Sequence, residues 1–508
     1  MADNLFTRFV AAAPSLEKTL LKPPSAAPIS YGEAFARAAQ FAHVLAGHGL
    51  VPGDRLAVQV EKSPAALILY LACLRAGLVY LPLNTGYTPA ELAYFVADAE
   101  PKLFVAAEKN FGAIAAAVPP TDFLTLSDDG LGGSLITEAL DRPRDFGDAP
   151  VGMKDLASIL YTSGTTGRSK GAMLSHGNLH SNAESLKQAW AFSAKDVLLH
   201  ALPIFHIHGL FVATNVSMLS GSSMLFLPRF DPDAVFAALP EASVMMGVPT
   251  FYTRLLKDPR LSPQTTGHMR VFISGSAPLL PDTFKEWQAR THHTLLERYG
   301  MTETNMNSSN PYQGERIAGS VGLPLPGVEI RVADPDGNPL PQGEIGMIEV
   351  RGPNVFQGYW RMPDKTAAEF RKDGFFITGD MGMFGADGYL RIVGRGKDLI
   401  ITGGLNVYPR EIEALLDDLP GVEESAVVGL PHEDFGEGVT AFVTLRAGAG
   451  LTEQDVLESL RDRLARFKQP KRVLFLSQLP RNAMGKVQKA ALREEYKSLY
   501  RPESAPAG

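Results

Sequence analysis

The chain has 508 residues, too many for one ordinary hydrophobic core, and its 45% hydrophobic and 20% charged content is that of a soluble globular protein. A formal net charge of −7 argues against general nucleic-acid affinity. The one cysteine, Cys73 in Leu-Ala-Cys-Leu, excludes an intramolecular disulfide and reads as core filler, which suits a reducing cytoplasm.

Met-Ala-Asp-Asn opens the chain with no basic segment and no long apolar run, so no leader is expected. Ser30-Tyr-Gly-Glu starts an Ala-rich helix that runs to about Gly47. A strand from Asp54, a helix over Pro64 to Ala76 and a strand from Val79 follow. This βα rhythm predicts a parallel sheet, and it recurs near 195–228 and 242–275. Gly209 to Pro228 carries no charge, but Thr214, Asn215, Ser217 and Ser220 interrupt it. A buried helix, turn and strand are expected there, not a membrane span. From 320 to 395, short β-rich runs alternate with turns such as Asp336-Gly337 and Asp387-Gly388, the pattern of a β-barrel-like subdomain.

Gly394-Arg-Gly-Lys-Asp398 reads as a domain boundary. Beyond it the sequence predicts a helix over 409–418, two strands, a helix over about 453–466 and a strand from Arg472. The expected fold is α/β: a large domain (1–395) of mixed and parallel sheets flanked by helices, then a small mobile α+β domain (396–501). A disordered tail (502–508) follows.

The richest local chemistry lies in Tyr161-Thr-Ser-Gly-Thr-Thr-Gly-Arg-Ser-Lys-Gly171, which carries hydroxyls, glycines and two cations but no acid. Glycines let backbone N–H groups turn inward around an anion, and hydroxyls and cations complete the shell. A Walker loop needs Gly-Lys-Ser/Thr at a helix start, and here Lys170 precedes Gly171. The loop is read as a different polyphosphate grip.

That loop, with Arg298-Tyr-Gly-Met-Thr-Glu303, Thr378-Gly-Asp380, Gly394-Arg-Gly-Lys-Asp398 and Pro480-Arg-Asn-Ala-Met-Gly-Lys486, resembles the acyl-CoA synthetase/adenylate-forming superfamily in order and spacing. The resemblance implies activation of a carboxylate by ATP and Mg2+, then transfer of the acyl group to the thiol of CoA. Thr162, Ser163, Thr165, Thr166 and Lys170 would hold phosphates, with Thr165 also taking part in catalysis. Glu303 would place Mg2+, a cation that prefers carboxylate oxygen. Ser276, Ala277 and Pro278 would form the loop under adenine. Tyr299, Gly300, Met301 and Thr302 would line the nucleotide, and Asp380 and Arg395 would reach the ribose. Lys397 occupies the hinge position. Lys486, on the mobile domain, would orient the carboxylate and offset charge at the α-phosphate. Gly403 and Gly404 would give room to a pantetheine arm, and Arg466 and Lys468 would meet the phosphates of CoA.

Arg229 ends an uncharged strand that the resemblance places beside the acid pocket, and a buried arginine needs an anion. His206, Ser276 and Arg298 could add hydrogen bonds to a second carboxylate, with Met306 limiting a 2-substituent. Together these segments resemble the synthetases that act on malonate and methylmalonate. A ligase for another short-chain, medium-chain or aryl acid, and a non-catalytic nucleotide-binding regulator, remain alternatives. A protein acetyltransferase and deacetylase acting on Lys486 are possible partners, because acetylation removes the lysine charge.

Overall fold

The computed structural model describes residues 3–162, 169–402, 405–432, 434–461, 463–464, 466–482 and 485–500. Two sheets organise the large domain. The six-stranded one runs in the order Asp122–Leu126, Leu103–Ala107, Arg55–Gln59, Val79–Pro82, Leu156–Thr162, Lys170–Ser175. All its neighbours pair in parallel except the last two strands. The nine-stranded sheet has six parallel strands at its heart: Leu296–Met301, Val271–Ser274, Val244–Gly247, Val197–His200, Ser223–Phe226 and Thr19–Lys22. The βα rhythm read from the sequence is therefore present in both sheets.

Helix Pro64–Arg75 shows why these segments fold as they do. Ser63 caps it, Pro64 starts it, and every residue from Ala65 to Leu74 is buried. A helix apolar on all sides must be enclosed. One hydrophobic cluster includes it and residues of both sheets, among them Leu56, Tyr80, Leu198 and Ile273. The β-rich segment after 320 forms a four-stranded antiparallel meander: Glu329–Ala333, Gly346–Arg351, Phe376–Phe384, Leu390–Arg395. The uncharged run after Gly209 folds as helix, turn and strand. Among the described residues no helix is long and apolar enough to cross a membrane.

The small domain has a five-stranded sheet and its own apolar clusters, which draw on residues from Ile400 onward. Its helix Pro409–Asp417 matches the expected one. The helix expected to reach about 466 instead ends at Leu460, with one more turn closed by Arg463 and Leu464 amides on the Leu460 carbonyl. The apolar stripe runs out there: Leu464 is buried, but Arg461, Arg463 and Arg466 are exposed. Tertiary packing sustains a short helix, and beyond Leu464 none is on offer.

Candidate active site

The site lies beyond the carboxyl ends of the parallel strands, where α/β sheets bind ligands. Ser274, Gly247, His200 and Met301 end four of those strands. The loops after them carry His206, Ser276, Ala277, Pro278, Thr302 and Glu303.

At the phosphate end, strands Leu156–Thr162 and Lys170–Ser175 form a hairpin in which Thr162 faces Lys170. The loop between them is thus pinned at both ends. Helix Pro89–Ala99 braces it, with Asp98 accepting from the Tyr161 hydroxyl and Tyr94 donating to the Ser169 carbonyl. Ser163, Thr165 and Thr166 lie outside the described residues. Lys170 is buried, pairs with Glu369 at 3.0 Å and sits over the Tyr359 ring. Glu303 is buried, accepting from the Thr162 hydroxyl at 3.3 Å and the Tyr359 hydroxyl at 3.0 Å. Tyr359 also donates to Glu369 at 2.6 Å. Burial raises the Glu303 pKa, with the neighbouring hydroxyl and Lys170 acting against it. A buried carboxylate that meets hydroxyls, with no cation in ion-pair contact among the described residues, fits a hydrated Mg2+.

The residues expected to wall the nucleotide lie on the hairpin of Leu296–Met301 and Asn305–Ser309. Successive strand residues face opposite ways, so Tyr299 and Arg298 serve different compartments. The Tyr299 hydroxyl donates to Asp380 at 2.6 Å, and Arg395 pairs with the same carboxylate at 3.0 Å. Thr378 braces Asp380 by accepting its amide. Gly300, Met301 and Thr302 are half-buried at the hairpin tip. A Cβ on Gly300 would meet the Asn305 carbonyl oxygen at 1.9 Å, so only glycine fits. Opposite lies Gly275 to Pro278. Ser276 there has φ +73°, a strained left-handed backbone, and its hydroxyl is 3.2 Å from His208 Nδ1.

At the end expected to take the acid, Arg298 is 3% exposed and makes no ion pair among the described residues, which also offer no partner to its buried Nε and Nη2. Its guanidinium lies across Gly275, where a Cβ would sit 2.5 Å from Cζ. Burial lowers the Arg298 pKa to about 9, which leaves it cationic at neutral pH. His206 is pushed down to about 4, first by burial and then by the charges of Arg298 and Lys486. His208 shifts the same way for the same first reason, and its Nε2 is buried without a partner. Met306 is fully buried, close against Gly300.

Arg229 requires a correction. It is exposed, because its strand stops at Phe226 and the chain has left the sheet by Pro228. The buried arginine short of an anion is Arg298.

Lys486 comes from the small domain. A tight turn presents it: Asn482 exchanges hydrogen bonds with its backbone, and Arg481 and Val487 pair across it. Its neighbour Gly485 approaches Thr250 of the large domain. One side of Lys486 is open to solvent, yet protein crowds the rest, and that burial lowers its pKa to about 8. Arg395 adds to the shift, whereas Asp380 opposes it. Lys397 lies in the short turn Gly396–Asp398, and Asp398 pairs with Arg493 at 2.7 Å. Gly403 and Gly404 lie outside the described residues. Arg466 is exposed and unpaired, whereas Lys468 is held by Glu411 at 2.7 Å.

Sequence reasoning missed Tyr359, Glu369 and His208. Tyr359 follows a Gln-Gly pair and Glu369 closes a short polar helix, so neither announces itself. His208 lies two residues after His206, but only the fold shows that its ring enters the pocket.

Fold and site together are those of an adenylate-forming enzyme. Residues 9–360 match the AMP-binding enzyme family, and residues 411–486 match the AMP-binding enzyme C-terminal domain. The chain belongs to that family. The crystal structure of ATP-bound MatB from Rhodopseudomonas palustris is 58% identical and has a TM-score of 0.96, covering 99% of this chain and 100% of that one. The apo form of MatB gives 0.84. A malonate–CoA ligase of Arabidopsis thaliana is 34% identical over 489 residues, 88% of this chain and 79% of that protein. A feruloyl-CoA synthase of Amycolatopsis is 35% identical over 473 residues, 92% of this chain and 94% of that protein.

Proposed function

We propose that this chain ligates malonate, and also methylmalonate, to coenzyme A through an acyl-adenylate. The observation that carries the reading is Arg298, a buried cation with unpartnered donors beside His208 and Ser276. A monocarboxylate would spend its only charge at the α-phosphate and leave that arginine unpaired. A dicarboxylate brings a second charge for it. Met306 limits the room for a 2-substituent.

In the first half-reaction one carboxylate oxygen attacks the α-phosphorus and pyrophosphate leaves. Lys486 supplies positive charge between the Asp380 and His206 sides of the site. Thr162 and Lys170, with Ser163, Thr165 and Thr166, hold the departing phosphates. Asp380 and Arg395 fix the ribose. Glu303 and Thr162 would hold Mg2+, which neutralises phosphate charge. In the second half-reaction the CoA thiol attacks the acyl carbon and AMP leaves. For that step the domain from 396 turns about Lys397, bringing Gly403 and Gly404 to the pantetheine and Arg466 and Lys468 towards the CoA phosphates. Acetylation of Lys486 by a protein acetyltransferase would then stop the first step alone. A reducing cytoplasm is the compartment we favour, since Cys73 is buried inside helix Pro64–Arg75 and has no use for an oxidant.

The test is AMP formation with ATP, Mg2+, CoA and a panel of acids. Malonate should exceed acetate, butyrate and ferulate by a wide margin. Preference for a monocarboxylate would overturn the assignment.

A further inference from the structure

Lys62 is an anomaly outside the reacting centre. It is 7% exposed, and none of its polar contacts is with a carboxylate. Its Nζ instead lies 2.9 Å from His200 Nδ1 and 2.7 Å from the His200 carbonyl oxygen. The remaining side of the amine faces the Phe226 ring, 4.3 Å from its centre. A lysine buried at a desolvation cost, among acceptors alone, calls for a reason.

The hydrogen bonds assign the His200 tautomer. The Gly209 carbonyl beside Nε2 can only accept, so the His200 proton sits on Nε2, and Nδ1 of the neutral ring accepts from Lys62. Nε2 then donates to the Gly209 carbonyl at 3.0 Å, with Thr214 Oγ1 at 3.3 Å. Thr214 donates to the same carbonyl at 3.0 Å. Gly209 sits in a π-helical segment, His208–Thr214, every residue of which is buried. Such segments leave carbonyls in need of outside donors and recur at functional sites. The turn is also tightly seated, since a Cβ on Gly209 would meet the Pro203 carbonyl oxygen at 2.0 Å. The residue before Gly209 is His208, whose Nδ1 meets Ser276 and whose Nε2 is unpartnered in the acid pocket.

We propose that Lys62 and His200 are positioning residues for the acid pocket: Lys62 fixes the His200 ring, and His200 holds the Gly209 carbonyl and so the turn that aims His208. Neither touches the reacting atoms. The pair also links two parts of the fold, because Lys62 follows a strand of the six-stranded sheet and His200 ends a strand of the nine-stranded one. The inference rests on the reading of this pocket as the acid site.

ATP–pyrophosphate exchange tests it, using the acid that the wild-type enzyme activates best in the panel above. A wrong substrate assignment then shows in the wild type, and a wrong positioning role shows only in the variants. Lys62→Met keeps the length and apolar stem but leaves the buried His200 Nδ1 without a donor and the His200 carbonyl with the Leu227 amide as its partner. It should raise KM for the acid by roughly 5- to 100-fold, while KM for ATP stays within about twofold. His200→Phe should do the same. His200→Gln retains an N–H near Nε2 and a carbonyl for Lys62, and should recover most of the loss. Unchanged acid KM in Lys62→Met, or equal rises for acid and ATP, would overturn the role. If Lys62→Met does not fold, the His200 pair decides, and equal acid KM in His200→Gln and His200→Phe sinks the proposal.

Discussion

At the end of the site expected to take the acid, Arg298 and His208 are buried with polar atoms that no group among the described residues meets. At the phosphate end, Thr162, Glu303, Tyr359, Glu369 and Lys170 meet one another in a continuous chain of contacts. The difference follows from what each end handles. Pyrophosphate must leave in every turnover, so groups that hold it need partners of their own when it is gone. On the reading proposed above, the acid end serves a substrate that carries its own fixed charge, and a buried guanidinium left open there would reject acids that cannot neutralise it. Selectivity in this reading comes from an unfavourable empty state, and turnover comes from a satisfied one.

The largest break in that contrast should come from Arg298→Met. Truncating one partner of a buried charge contact costs ~2–5 kcal/mol, so kcat/KM for malonate should fall roughly 30-fold to several thousand-fold. KM for ATP should hold. Stability should not fall, because the guanidinium has no ion pair to lose and an apolar side chain removes its desolvation cost. A variant that keeps malonate activity would mean that the open donors are a packing defect and not a binding site.

Lys486 stands between the two ends. Lys486→Ala should slow adenylation by ~10²–10³-fold and leave thioester formation from a preformed acyl-adenylate nearly intact. Its pKa of about 8 adds a sharper test. The ammonium is present below that value and lost above it, so adenylation should decline as pH rises through about 8. Lys486→Arg keeps its charge, and whatever activity it retains should show no such decline. Equal pH profiles for the two proteins would assign the decline to another group.

The phosphate end should be more forgiving. Tyr359→Phe removes the hydroxyl that lies within hydrogen-bond reach of both Glu303 and Glu369 and gives its single proton to one of them at a time. A hydrogen bond to a charged group is worth about 1.5–3 kcal/mol, but Lys170 and Thr162 remain. Roughly a tenfold rise in KM for Mg–ATP is expected, with KM for malonate unchanged. A rise in both would show that the two ends are not independent.

Much of this was legible in the sequence because it is local. Strand and helix periods announced both parallel sheets, and the glycine and hydroxyl pattern marked the segment that joins Thr162 to Lys170. What escaped depends on long-range closure. Lys170 and Glu369 are 199 residues apart, Glu303 and Tyr359 are 56 apart, and Lys62 and His200 are 138 apart. No spacing rule joins such pairs. The helix after 453 was drawn too long because the charges of Arg461 and Arg463 suit a helix surface as well as a turn. Arg229 was read as buried because an uncharged strand precedes it. The strand ends three residues earlier, and that end depends on neighbouring strands the local sequence does not show.

Arg229 supplies the smallest and most discriminating effect. It is exposed, and both nearby acids are otherwise engaged: Asp231 caps helix Pro232–Ala238, and Asp233 pairs with Arg260. Its neighbour Phe230 stacks on Phe251 at 4.0 Å, and Phe251 packs on Gly247 at a strand end beside the pocket. Arg229 therefore sits near the rim with a free charge. A solvated charge acting at the rim is worth up to ~1 kcal/mol, so Arg229→Ala should lower kcat/KM for malonate by about fivefold or less. The effect should shrink at high salt, because screening weakens an exposed contact far more than a buried one. The Arg298→Met loss should barely respond to salt. If Arg229→Ala costs as much as Arg298→Met, and high salt does not reduce the loss, substrate binding must draw Arg229 inward. The acid pocket would then extend to the rim, and the contrast between a buried recognition charge and an exposed steering charge would fail.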